Sequence, residues 1–325
     1  MLKSVSAALA ACFFALPAFA EPLVGVRTIA PAAGEDLRAL SVTVWYPAKD
    51  GGSLEDIGGN AVFVGQPAYR DAEIVQDTLP LVLLSHGGLR SAADSGAWLG
   101  RRLAEAGFIV AEVNGPRPGS AEQAVNEIWR RPQDVSLALD RILQDQTLSP
   151  LVDPTRIAVA GHALGATAAL ALTGGRLDAD MFAAACAPDA DGPDCAWYAA
   201  QGVALASVDR EHLENPHRDP RISAAIAVDP EYAEVFLAPS LNDLAPDTRV
   251  VWLGAPTRPQ FAGTDLPQAV IEGASGYDAF PLCTPKGKFI LAEDGGDAAL
   301  CDTDDATRAR IHDEVAKRIG ALLNP

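Results

Sequence analysis

The segment Gly161-His162-Ala163-Leu164-Gly165 follows an expected strand at residues 156–160 and opens an Ala/Leu-rich stretch that continues to residue 172. A strand, then Gly-x-x-x-Gly, then a helix of small residues is the backbone plan of a nucleophile elbow, where the glycines permit a sharp turn and close strand-to-helix packing. Such a turn normally presents Ser, whose hydroxyl attacks an acyl carbon while backbone N–H groups hold the oxyanion. Here the middle residue is Ala163, which has no lone pair to offer.

The other residues able to do acid-base or metal chemistry are few. There are five histidines, at positions 86, 162, 212, 217 and 312, and five cysteines. His86 sits in the Gly-rich stretch Leu84-Ser85-His86-Gly87-Gly88, and His162 lies beside Ala163. His212 and His217 fall in a polar segment read as solvated, and His312 lies inside the last helical pattern, where a surface or packing role is expected. Four cysteines form two close pairs, Cys186 with Cys195 and Cys283 with Cys301. Two loop-closing disulfides are the economical reading, although four cysteines permit three pairings. No metal site is expected, because neither pair has Cys-x-x-Cys spacing or a nearby His. The run Asp189-Ala190-Asp191-Gly192-Pro193-Asp194 has alternating carboxylates as calcium loops do, but it lacks the closing Glu and reads as a polar loop. The five aspartates of residues 294–305 read as a solvated loop beside the second cysteine pair.

These groups need a scaffold. Residues 23–29 and 40–46 alternate in the strand manner and suggest an antiparallel opening pair. Residues 79–85 form a continuous apolar run of buried-strand length, followed by a Gly-rich turn, a helical stretch over 92–106 and a stop at Gly107. Residues 108–113 are the next strand, and 132–146 carry apolar residues at helical spacing. Further strands are expected at 203–207, 224–228, 249–253 and 269–271, with a closing helix over 307–323. Alternating strands and helices imply a mostly parallel sheet covered on both faces. Residues 51–72 and 209–221, richer in Gly, Pro and charge, read as surface excursions able to form rims or lids. With no internal repeat and no low-complexity linker, residues 21–325 are expected to form a single domain.

The N-terminus reads as an export signal over residues 1–20: Lys3 is followed by a short apolar run and by Ala18-Phe19-Ala20 as a small-x-small cleavage site. The apolar run falls short of the roughly 20 residues of a membrane-spanning helix, and no other stretch is long enough. Leu9-Ala10-Ala11-Cys12 offers a lipoprotein box as the lesser alternative. A periplasmic or secreted location, and hence an oxidising compartment, follows as the expectation. The 325-residue chain carries 43 acidic against 25 basic side chains, a formal charge of −18, which argues against nucleic-acid phosphates as a partner.

Taken together, Val44-Trp45-Tyr46-Pro47, Leu84-Ser85-His86-Gly87-Gly88, Arg131-Pro132-Gln133-Asp134-Val135, Asp153-Pro154-Thr155-Arg156-Ile157 and both cysteine pairs resemble the α/β-hydrolases, specifically the secreted dienelactone-hydrolase-like and platelet-activating-factor-acetylhydrolase-like branch. The resemblance spans nearly all of the chain after the signal. It implies an α/β-hydrolase fold, mostly parallel with helices on both faces, an antiparallel N-terminal strand pair, and ester hydrolysis by Ser, an acid and His in that chain order. The Ser position matches Ala163. The His position, after a Gly-Ala-Gly/Ser stretch and just before an aromatic residue, matches Gly276 in Gly273-Ala274-Ser275-Gly276-Tyr277. The acid of some relatives matches Asp229; others place it one strand later, where Gly254-Ala255-Pro256-Thr257 has no carboxylate. The oxyanion hole would be built from the N–H of Leu164 and one from Gly88 or Leu89.

With the nucleophile and base roles both unfilled, the expectation is a protein of the hydrolase fold that has lost its chemistry and binds a small acyl or ester-like ligand or a protein partner, with no cofactor. The competing expectation is an active ester hydrolase using Ser85 or Ser275, or a chain in which Ala163 replaces Ser by design.

Overall fold

A computed structural model describes residues 23–30, 38–89, 91–187, 192–256 and 261–323. The segment read as an export signal, Cys12 and residues 189–191 of the aspartate-rich run lie outside this range.

Ten strands make one sheet: β1 (Leu23–Ile29), β2 (Ser41–Ala48), β3 (Ser53–Ile57), β4 (Gln66–Arg70), β5 (Leu79–Ser85), β6 (Ile109–Asn114), β7 (Val152–His162), β8 (Ala224–Val228), β9 (Asp247–Leu253) and β10 (Gln268–Ile271). Their order is β10-β9-β8-β7-β5-β6-β2-β1-β4-β3. From β6 to β10 every neighbouring pair is parallel, whereas β1 runs antiparallel to β2 with Val26 opposite Trp45. The central strands read as continuous apolar runs because they are buried on both faces.

The helices are α1 (Ala97–Glu105), α2 (Ala121–Ala124), α3 (Glu127–Gln144), α4 (Leu164–Thr173), α5 (Ala179–Ala184), α6 (Cys195–Ala200), α7 (Arg210–Glu214), α8 (Gly287–Glu293) and α9 (Asp305–Leu323). One apolar cluster joins Trp98 and Leu103 of α1 and Ile311 and Val315 of α9 to Val82, Leu84 and Val110 on one face of the sheet. On the opposite face Val135 and Leu139 of α3 pack with Leu81, Leu83 and Val159. Both disulfides, Cys186–Cys195 and Cys283–Cys301, are formed. No helix among the described residues is long and apolar enough to cross a membrane.

Several elements depart from the sequence reading. The segment expected as a strand at 203–207 is a loop and a short 3-10 turn, because Ser207 Oγ donates to Ala204 O (2.8 Å) and Leu205 alone turns inward. Helix α1 starts at 97 and not 92, since Asp94 N–H donates to Asn114 Oδ1 (3.0 Å) and Gly96 N–H to Glu112 Oε1 (2.7 Å), fixing the preceding residues to β6. Helix α3 starts five residues before Pro132, which sits inside the helix at the cost of one i→i−4 hydrogen bond while Ile128 and Trp129 bury. Residues 51–72 are more than an excursion: β4 pairs in parallel with β1 and β3 pairs with β4, extending the sheet.

Candidate functional site

β7 ends at His162 and α4 begins at Leu164, so the whole reversal falls on Ala163, at φ 55° and ψ −124°. A non-glycine residue held there stores strain of order 1–3 kcal/mol and persists only where its surroundings over-determine it. They do so through four backbone bonds: Ala163 N–H donates to Val228 O (3.2 Å), and Ala163 O accepts from the N–H of Ala166 (2.9 Å), of Thr167 (3.3 Å) and of Glu231 (3.3 Å). The glycine spacing has a direct cause. A Cβ on Gly165 would lie 1.9 Å from Ser85 O, and one on Gly161 would lie 2.1 Å from Gly165 O.

Asp229 stands at the end of β8 with φ 48°. Its N–H donates to Val251 O (2.8 Å), and its Oδ1 accepts from Leu253 N–H (3.4 Å). A Cβ built on Gly276 would meet Asp229 Oδ2 at 2.6 Å. The carboxylate is therefore aimed at the point where a side chain on residue 276 would emerge, and glycine leaves that point bare. Burial pushes the Asp229 carboxyl up to about 6. No carboxylate stands at 254–256.

The loop after β5 lies against the elbow, where Gly87, at φ 86°, donates its N–H to His162 O (3.2 Å). From α3, Arg131 Nη1 donates to Gly87 O (2.6 Å) and Nη2 to Gly88 O (2.7 Å). Both carbonyls are thereby held toward α3, and Leu89 is buried beside them.

A residue absent from the sequence reading, Glu231, lies against the elbow, its N–H donating to Ala163 O. The N–H of Leu164 points at its carboxylate as a hydrogen-bond donor, and Oε1 would be 3.0 Å from a Cβ on Gly88. Oε2 is shut off from solvent without a hydrogen-bond partner among the described residues. The backbone is anchored by Thr167 Oγ1, which donates to Glu231 O. Burial, reinforced by Asp194 and Asp229 against the opposing Arg131, pushes this carboxyl up to about 7. No sequence signal marks it: positive φ at Asp229 and Tyr232 folds Pro230-Glu231 back onto the elbow.

His162 borders the site, and the other histidines are engaged by neighbouring groups. His86 pairs Nδ1 with Ser95 Oγ (3.1 Å) and Nε2 with Ala279 O (2.8 Å), and burial lowers it to about 4. His162 is buried with its ring 5.4 Å from that of Phe280, hydrogen-bonds the backbone of Gly276, and is held neutral by burial. His312 stacks on Trp98 at 3.7 Å, meets Phe280 O (3.0 Å), and is lowered by burial to about 3. His212 pairs with Asp209 (2.8 Å) and stacks on Trp129. His217 was read as solvated, but its Nε2 is buried, because the segment folds into the short helix α7 and turns back.

Neither serine named as a substitute nucleophile hydrogen-bonds an imidazole among the described residues. Ser275 donates its hydroxyl to Asp278 Oδ2 (3.1 Å) in a capping box, and Ser85 lines a cavity of about 330 Å³ with His86, Leu89, Asn114, Arg131 and Asp134, whose one imidazole is already bonded. Among the described residues no group of three or more His, Cys, Asp or Glu could hold a metal.

No family model and no curated protein sequence matches the chain. Among solved structures it is similar to a ferulic acid esterase from Streptomyces cinnamoneus, at a TM-score of 0.62 and 18% identity over 95% of this chain and 91% of that one. At that identity the likeness establishes the fold, an α/β-hydrolase fold.

Proposed function

We propose that this chain is an exported protein of the α/β-hydrolase fold, from the dienelactone-hydrolase-like and platelet-activating-factor-acetylhydrolase-like branch, that has lost ester hydrolysis and acts by binding. The observation that carries the proposal is the elbow at Ala163, which keeps the strained geometry of a nucleophile turn and has no hydroxyl to present. Support comes from Gly276, which leaves Asp229 facing no imidazole, and from Glu231, whose carboxylate lies against the Leu164 N–H. Ser or His substitutions alone remove most of the rate of a serine hydrolase, and the residual of about 10³–10⁴ over water needs a free oxyanion hole. Both disulfides fit an oxidising compartment, periplasmic or extracellular, as the N-terminal segment suggests.

The test is hydrolysis of a short-chain aryl ester and of a feruloyl ester, the latter because an esterase named for ferulic acid shares the fold. Purified protein without residues 1–20 should release no more product than buffer. Saturable turnover lost on substitution of Ser85 or Ser275 would restore the enzyme reading.

A further inference from the structure

The cavity of about 330 Å³ that Ser85 borders lies at the C-terminal ends of β5 and β6, and Ala163, Gly276, Asp229 and Glu231 do not line it. Its lining divides chemically. Leu89, Ala92, Ala93, Val113, Pro116 and Pro118 give apolar surface, whereas Ser85, Ser91, Arg117 and Arg131 bring donors. Those donors have capacity to spare. Arg131 uses Nη1 and Nη2 on Gly87 O and Gly88 O, and no described residue accepts from its Nε. Arg117 is exposed and makes no ion pair among the described residues, and the hydroxyls of Ser85 and Ser91 make no hydrogen bond there.

Two carboxylates also line the cavity, and Arg38 answers both. Its Nη1 and Nη2 donate to the two oxygens of Glu127 at 2.7 and 2.9 Å, and Nη2 lies 3.4 Å from Asp134 Oδ2. Arg38, Arg117 and Arg131 against Glu127 and Asp134 leave a surplus of one positive charge, in a chain whose formal charge is −18. Glu231 faces Arg131 from the elbow side, where burial pushes its carboxyl up to about 7 and leaves it only partly ionised near neutrality. A cation entering the cavity would meet the guanidinium charges of Arg117 and Arg131. A phosphate or sulfate would gain nothing from the apolar side. A carboxylate on a short apolar body uses both halves of the lining, since a guanidinium matches its planar pair of oxygens and the hydroxyls can donate to it as well.

We propose that the cavity between β5, β6 and α3 binds a small organic acid, with its carboxylate toward Arg117, Arg131, Ser85 and Ser91 and its aliphatic body against Leu89, Val113 and the two prolines. A volume at the low end of the roughly 300–1,000 Å³ of small-molecule sites, with few polar groups on a largely apolar lining, suits a short acid. The site goes beyond the loss of hydrolysis proposed above and does not rest on it, because its lining is the same whether or not the elbow turns over an ester.

The experiment is calorimetric titration of the protein without residues 1–20 at pH 7 with sodium hexanoate, sodium butyrate, n-hexylammonium chloride and sodium phosphate, alongside the aryl ester assay. Hexanoate should bind one per chain, and about ten-fold tighter than butyrate, since each methylene removed from water is worth about four-fold. Hexylammonium and phosphate should show no saturable binding. Arg117→Ala, at an exposed position and checked by circular dichroism, should weaken hexanoate by about ten-fold, as expected for loss of a hydrogen bond between charged groups. Ala93→Phe, which places a ring in the cavity from an exposed position, should abolish saturable binding. Arg310→Ala, exposed on α9, should leave hexanoate unchanged and so exclude general attraction to surface cations. Absence of saturable hexanoate binding, hexylammonium or phosphate binding as tightly as hexanoate, or hexanoate binding indifferent to both Arg117→Ala and Ala93→Phe would overturn the inference and leave the loss of hydrolysis standing. Ester turnover together with hexanoate binding that needs Arg117 would support the acid site and overturn the loss of hydrolysis instead.

Discussion

On the reading proposed above, three residues separate this elbow from that of a working serine hydrolase, and they differ in how hard each is to reverse. Ala163→Ser adds an oxygen to a residue already at the required φ and ψ, so it needs no backbone change. Gly276→His is harder, because its Cβ would meet Asp229 Oδ2 at 2.6 Å and the carboxylate must turn aside. The third, Glu231, holds the Leu164 N–H and is not repaired by either change. The double variant should therefore gain more than the product of the two singles, since nucleophile and base act as a unit. Adding Glu231→Ala should raise aryl ester kcat/KM at least a further ten-fold, by analogy with the roughly 10²–10³ carried by a single oxyanion donor. Equal rates for the double and triple variants would show that Glu231 does not obstruct the hole.

The turn that bears Gly276 depends on α9 and on the loop closed by Cys283 and Cys301. Arg308 of α9 is buried, with Nη1 donating to Pro281 O (3.0 Å), Nη2 to Leu300 O (2.5 Å) and Nε lying 3.6 Å from Asp278 Oδ1. Asp278 in turn accepts from Ser275 N–H (2.8 Å), one residue before Gly276. Arg308→Ala leaves two carbonyls without their donor and the buried Asp278 carboxylate without its counter-charge, and should lower unfolding stability by about 3–5 kcal/mol in urea titrations. Arg308→Lys should recover part of the loss as a single charge without the fork. None of this chain of contacts was legible beforehand, because Arg308 looks like any polar residue on an amphipathic helix. The elbow was legible, since Gly161 and Gly165 record two close backbone approaches that admit no side chain. Central strands β5 and β8 were legible to the residue, as continuous apolar runs between turn signals. The edge strand β3 was not, because four of its five residues are exposed and its sequence has no apolar face to read. Glu231 escaped for a different reason: positive φ at Asp229 and Tyr232 is a tertiary outcome that Val-Asp-Pro-Glu-Tyr does not announce.

Across the molecule, two sets of buried titratable groups oppose each other in pH. His86, His162 and His312 are held neutral, with folded values lowered from 6.5 to about 4 for His86 and about 3 for His312. In that set the unfolded chain binds more protons, so their contribution is present above pH 6.5 and is lost as pH falls toward 4 and 3. Asp134, Asp229 and Glu231 are raised by burial to about 6, 6 and 7 from ordinary values of 3.8, 3.8 and 4.5, and Glu112 is raised well above its own. Here the folded chain keeps the protons, so stability is fully present below pH 4 and is lost as pH rises through 6 and 7. Between about pH 4 and 6.5 the two slopes run in opposite directions and largely cancel. Above 6.5 only the carboxyls still titrate, and the formal charge of −18 adds self-repulsion in the same direction. The midpoint of thermal unfolding should therefore be highest at mildly acidic pH and fall by several degrees from pH 6 to pH 8. Glu231→Gln separates the local contribution from the global one. It should match the parent protein near pH 4 and exceed it at pH 8 by about 3 kcal/mol, the scale set by raising one carboxyl from 4.5 to about 7. A parent protein whose midpoint climbs from pH 6 to pH 8, or a Gln variant that gains nothing there, would mean that the Glu231 carboxyl is compensated in the folded state.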